Sequence, residues 1–173
     1  MSMEKYNKIH FIGIGGISMS SLAEILKSKG KTITGSDGVA SNVTKALENI
    51  GIQVSIGQKA ENITPDTDLI VYTAAVKEDN PELMAARASG IETVDRAALV
   101  GMMMLEYKFP LSVAGTHGKT TTSSLVTEIF LEANTNPTVS IGGILPSIKG
   151  NYKVGGEDYF ILETCEYCDS FLK

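Results

Sequence analysis

Two glycine turns hold the residues best placed to do chemistry in this 173-residue chain. The first is Gly13-Ile14-Gly15-Gly16-Ile17-Ser18, preceded by apolar Ile9, Phe11 and Ile12. A strand that runs through glycines into a helix presents bare backbone N–H groups at the positive end of a helix dipole. That arrangement suits a pyrophosphate. Asp37 lies 24 residues after Gly13, about where an acid would meet a ribose. Ser18 replaces the third glycine of the dinucleotide fingerprint, so helix and strand are expected to sit slightly farther apart. A tight turn with no ligand is the plainer alternative.

The second turn is Gly115-Thr116-His117-Gly118-Lys119-Thr120-Thr121-Thr122. Here the amides would wrap the phosphates of ATP, Lys119 would offset β/γ charge, and the Thr120 hydroxyl would ligate Mg²⁺. Strict Walker spacing asks for glycine at position 113, which is Val113, so the motif is a shortened Gly-x-x-Gly-Lys-Thr. Glu163 closes the apolar run 159–162 and is the candidate second magnesium ligand; Glu166 and Asp169 are weaker stand-ins. His117 either touches substrate or phosphate or forms a local hydrogen bond within the loop.

The elements that must position these turns read as alternating strands and helices. Strands are expected at 9–14, 32–34, 54–56, 69–72 and 91–94. Helices are expected at 17–29, 43–50, 81–89 and 97–105, the third opened by Asn80-Pro81 and closed by Gly90. This is the pattern of a parallel α/β sheet covered on both faces. A second α/β unit then begins: strand 109–114, helix 120–131, and strands at 139–141 and 159–162 with a glycine-rich, poorly patterned stretch between them. The expected division is 1–107 and 108–173. Met102-Met103-Met104 reads as apolar packing filler.

Composition limits the alternatives. Fifteen Lys+Arg against 20 Asp+Glu, a net charge of −5 and no basic run argue against nucleic-acid binding. With 43% hydrophobic and 20% charged residues, the chain is expected to fold rather than remain disordered. Residues 9–23 carry no charge, yet their glycines and serines make a poor signal sequence, and the run is too short to span a bilayer. Two cysteines cannot build a disulfide framework, so a reducing, cytoplasmic setting is expected without membrane insertion. Cys165 and Cys168 lack the further ligands that a zinc site requires.

Residues 115–122 resemble the ATP loop of the Mur ligases, which build the peptide stem of peptidoglycan. His117 and Phe11-Ile-Gly-Ile-Gly-Gly-Ile-Ser-Met-Ser20 are similar to the family branch that adds L-alanine. So are residues 73–83 and Glu163-x-x-Glu166-x-x-Asp169-Ser-Phe171. The resemblance implies a Rossmann-like UDP-substrate domain over 1–107 and the start of a P-loop ATPase domain over 108–173. The remainder of the ATPase, including the family's magnesium-binding histidine, and the amino-acid domain have no counterpart here. The implied reaction joins L-alanine to UDP-N-acetylmuramate through an acyl phosphate, with ATP and Mg²⁺. Lys119, Thr120 and Glu163 would serve catalysis. Gly115 to Thr121 would hold ATP. Gly13, Gly15, Gly16 and Ser18 would hold the UDP pyrophosphate, with Asp37 near ribose or base and Thr73, Ala74 and Asn80 lining the cleft. A murein-tripeptide recycling ligase, a nicotinamide dehydrogenase for the first domain alone, and a non-catalytic nucleotide module are the competing readings. The dehydrogenase leaves Gly118-Lys119-Thr120 unexplained.

Overall fold

A computed structural model describes residues 3–164. Two compact units emerge: Glu4–Leu99, and a second that runs from Val100 and takes in Met3.

The first unit is built on β1 (Lys8–Ile12), α1 (Ile17–Ser28), β2 (Thr32–Asp37), α2 (Asn42–Asn49), β3 (Gln53–Ile56), β4 (Leu69–Tyr72), α3 (Pro81–Ala88) and β5 (Glu92–Asp95), and α4 (Arg96–Met104) begins in it. All four strand pairings are parallel, in the order β3-β2-β1-β4-β5. This is the Rossmann-type order without a sixth strand, and it reverses direction between β1 and β4. Ile9, Phe11, Ile12, Leu69, Ile70 and Val71 are fully buried in the central strands, as a parallel sheet covered on both faces demands. On α1, Met19, Leu22, Ile25 and Leu26 are buried at helical spacing.

Local chemistry sets the helix starts. Ser41 and Thr44 form a reciprocal capping box on α2. Asn80 accepts from the Glu82 and Leu83 amides ahead of Pro81 on α3. The entry to β1 is fastened by Asp68, which accepts from the Asn7 and Lys8 amides at 2.8 Å each.

The second unit contains β6 (Phe109–Val113), α5 (Lys119–Glu132), β7 (Thr138–Leu145), β8 (Gly150–Lys153) and β9 (Tyr159–Glu163), with strand order β6-β9-β7-β8. β9 lies parallel to both β6 and β7, whereas β8 runs antiparallel to β7. Val139, Ile141, Leu145 and Ile161 form its core, with Leu111, Val126, Phe130 and Ile148 packed against them. Met102 and Met103 are buried, as packing filler should be.

Sequence patterning stopped β7 at Ile141 and missed β8. Gly142 and Gly143 interrupt the apolar run, and the pairing of β7 with β8 shifts register between Ser140 and Leu145. No period-2 signal survives such an irregularity.

Candidate functional site

The first turn leaves β1 at its C-terminal end, beside the sheet's point of reversal, where open α/β folds bind ligands. Gly13 has φ +83°, and a Cβ there would lie 2.5 Å from the Thr73 methyl. Only glycine combines that dihedral with that approach. The Ser36 carbonyl accepts from both the Gly13 and Ile14 amides, at 2.8 and 2.9 Å. One Asp37 carboxylate oxygen accepts from Gly15 at 2.9 Å, and the other accepts from Val39 at 3.2 Å.

The amides of this turn are therefore not bare, as the motif suggested. Those of Gly13, Ile14 and Gly15 hold the turn to β2, and Gly16 donates to the Gly13 carbonyl. What faces outward is the start of α1, where Gly16 provides no side-chain cap and the amides of Ser18 and Met19 have no intrahelical acceptor. Asp37, expected near a ribose or base, has both oxygens on backbone amides. Thr73 and Ala74 follow β4 beside Gly13, whereas Asn80 caps α3 and donates to Gln58 at 2.7 Å. Ser18 receives a hydrogen bond from Arg96 at 3.3 Å, a residue that motif reading passed over.

Beneath the turn lies a polar cluster that the sequence did not announce. Glu82 is 0% exposed and His10 is 2% exposed. His10 Nε2 lies 2.8 Å from one Glu82 oxygen, and its Nδ1 lies 2.8 Å from the Thr34 hydroxyl. Ser36 donates to the other Glu82 oxygen at 2.6 Å. One buried carboxylate at the start of α3 thus ties β1 to β2, at the residue whose carbonyl shapes the glycine turn. These partners are 46 and 72 residues from Glu82 in sequence, and nothing in their spacing signals a contact.

The second turn connects β6 to α5. Gly118, at φ +74°, caps α5, and Lys119 donates to the Gly115 carbonyl at 2.6 Å. Thr116, His117, Gly118 and Thr121 are exposed. β6 and β9 pair with Val113 opposite Glu163, so the end of β9 lies next to the loop. The Thr120 hydroxyl donates to Glu163 at 3.1 Å, and the Gly142 amide does so at 2.9 Å. Ser123 adds a longer hydrogen bond of 3.4 Å. The hydroxyl and carboxylate expected to share a metal thus converge from elements 43 residues apart. Both are hard oxygen donors and suit Mg²⁺. Gly142 has a steric reason to be glycine, since a Cβ there would lie 2.8 Å from the Glu163 carboxylate. The alternatives Glu166 and Asp169, and the pair Cys165 and Cys168, lie outside the described residues. Among the described residues, no group of three His, Cys, Asp or Glu side chains forms a metal cluster.

Residues 8–108 match the family described as "Mur ligase family, catalytic domain". The chain belongs to the Mur ligase family. It is 59% identical to a protein of Agathobacter rectalis named UDP-N-acetylmuramate–L-alanine ligase, over 95% of this chain and 36% of that protein. A protein of the same name from Acetivibrio thermocellus is 54% identical over 98% of this chain and 36% of its own length. This Mur ligase chain therefore spans little more than a third of the curated relatives it matches. Among solved structures, UDP-N-acetylmuramate–alanine ligase MurC of Thermotoga maritima superposes with a TM-score of 0.82 at 37% identity, covering 90% of this chain and 36% of that one. A Neisseria meningitidis ligase for UDP-N-acetylmuramate and L-alanyl-γ-D-glutamyl-meso-diaminopimelate gives 0.83 at 29% identity, over 94% and 53%. The expected parallel α/β, Rossmann-like architecture is the one found.

Proposed function

We propose that this chain is the UDP-substrate domain and the opening of the ATPase domain of a ligase that joins L-alanine to UDP-N-acetylmuramate. The observation that carries the reading is the identity above 50%, along nearly the whole chain, to proteins bearing that name. Identity to the murein-peptide ligase structure is 29%, which favours the alanine enzyme over the recycling one.

In this reading the first unit holds UDP at the start of α1, with Gly13, Gly15 and Gly16 shaping the turn. Ser18 meets the pyrophosphate, Asp37 braces the turn, and Thr73 and Ala74 line the crevice while Asn80 fixes the helix beside it. The second unit takes the ATP phosphates on residues 115–121. Lys119 exchanges the Gly115 carbonyl for phosphate oxygens and offsets their charge as the γ-phosphoryl passes to the muramate carboxylate. The alanine amine then attacks the acyl phosphate, and ADP and phosphate leave. Thr120 and Glu163 would hold Mg²⁺, which when bound neutralises phosphate charge. The exposed His117 is positioned to meet phosphate or substrate. A cytoplasmic setting fits these soluble substrates, and no helix among the described residues is long and apolar enough to cross a membrane.

Calorimetry on the chain with UDP-N-acetylmuramate and with Mg·ATP, joined to a phosphate-release assay, tests the reading. UDP-substrate binding is expected, with weak ATP affinity and no alanine-dependent phosphate release, because these residues span little more than a third of the relatives that carry the activity's name. Tight ATP binding without UDP binding would overturn the assignment of the two units.

A further inference from the structure

We propose that Arg96 binds the pyrophosphate of the nucleotide substrate, a role that rests on reading the first glycine turn as the UDP site. Arg96 is the first residue of α4, directly after β5, and its guanidinium reaches the Ser18 hydroxyl in the first turn of α1. A permanent cation thus sits at the N-termini of two helices, its own and α1. Both dipoles disfavour positive charge there.

No acid offsets it. Asp37 has its carboxylate on the Gly15 and Val39 amides, and Asp95 accepts from the Ala98 amide. Among the described residues, the recorded partner of Arg96 is the Ser18 hydroxyl, at 3.3 Å. The chain's other arginine, Arg87, meets the Glu78 carboxylate through both terminal nitrogens. An arginine that serves only to join two helices would gain more from a carboxylate than from a distant hydroxyl. An anion seated at the start of α1 supplies what is missing. It accepts from the amides of Ser18 and Met19, reverses the unfavourable dipole term, and offers the guanidinium a two-pronged phosphate contact. Ser18 then serves as the resting partner that keeps Arg96 over the turn until the ligand arrives.

The test titrates UDP and uridine separately into the 173-residue chain and into Arg96→Met and Arg96→Lys, by calorimetry for UDP and NMR shift mapping for uridine. UDP lacks the muramate carboxylate, so any loss reports on the pyrophosphate. Arg96→Met keeps the apolar stem and is expected to weaken UDP binding roughly 10- to 100-fold, the range for a hydrogen bond to a charged group. Uridine affinity should stay within about twofold of the parent, and Arg96→Lys should fall between because it loses the fork geometry. UDP binding by Arg96→Met at the parent's affinity would overturn the proposal. So would an equal loss of uridine and UDP, which would make Arg96 a structural tie. Failure of the parent chain itself to bind UDP would overturn the reading of the glycine turn and this assignment with it.

Discussion

Replacing Glu82 by alanine tests whether the buried cluster beneath the glycine turn holds the first unit together. The carboxylate accepts from Ser36 and lies against His10 Nε2, and it has no exposure to water. Glu82→Ala leaves both partners buried without it, at ~1–3 kcal/mol for each stranded group. Some cavity cost is added, and breaking one side of a buried ionisable pair typically costs ~3–5 kcal/mol. We expect a loss of ~3–5 kcal/mol, which at a urea slope of ~1–3 kcal/mol/M moves the unfolding midpoint by more than ~1 M. Glu82→Gln keeps the volume and one acceptor for Ser36, so it should cost about half as much. Urea titration followed by circular dichroism measures the loss, and amide exchange at residues 9–12 and 36 localises it to the first unit. His10→Leu combined with Glu82→Leu should cost less than the two single changes added, because removing both partners strands fewer groups. A Glu82→Ala protein within ~1 kcal/mol of the parent, or strict additivity in the cycle, would refute the reasoning.

Lys119→Ala in a full-length enzyme should abolish ligation while UDP-substrate affinity stays near the parent value, since Lys119 and the first turn belong to different units; steady-state kinetics and calorimetry together check this. Glu163→Gln should weaken the magnesium dependence of ATP binding, read by titrating ATP with and without Mg²⁺, because the Thr120–Glu163 pair loses its charge. Gly15→Ala should impair UDP binding by at least ~10-fold, since its Cβ would lie 2.8 Å from the Asp37 oxygen that braces the turn. Acid should destabilise the first unit through Asp66, held at about 2 by Lys8 and then Thr64, and through Asp68, lowered by the Lys8 and Asn7 amides. Both folded values lie below the ordinary aspartate value, so this stabilisation is present above pH ~4 and is lost as pH falls toward ~2. Melting temperatures across that window should decline less steeply in Asp66→Asn/Asp68→Asn than in the parent.

Most of the first unit was legible because its strands and helices obey local rules. Leu69–Tyr72 reads as an apolar run, and Asn80-Pro81 places a cap and a preset φ at the start of α3. The position of Glu163 beside Thr120 was also legible, since it ends an apolar strand after a glycine turn. Hidden from the sequence were features made by contact across the fold. His10 reads as one polar residue in an apolar strand, and Glu82 as an ordinary first-turn acid. Their partnership exists only once β1, β2 and α3 are packed. The glycine motif suggested a phosphate site, but it could not reveal that Ser36 and Asp37 engage its amides. Arg96 carried no motif at all. The far end of β7, beyond Ile141, and β8 were obscured because Gly142 answers to the Glu163 carboxylate rather than to sheet propensity.

The Gly13 and Ile14 amides are held by the carbonyl of residue 36, not by its side chain. The shape of the turn is thus inherited in part from the alignment of two neighbouring strands, Ile12 beside Ser36, and in part from Gly13 and from the Asp37 carboxylate on the Gly15 amide. That separates two tasks that ligand-binding loops often combine. Exposed side chains around the crevice are open to exchange while the scaffold that aims α1 stays intact. A one-residue slip of β2 against β1 would leave every loop residue unchanged and still remove the turn. For anyone redesigning this domain, the exposed residues 38–40 and 74–75 are the places to vary, and the β1–β2 register, Gly13, Gly15 and Asp37 are the features to protect.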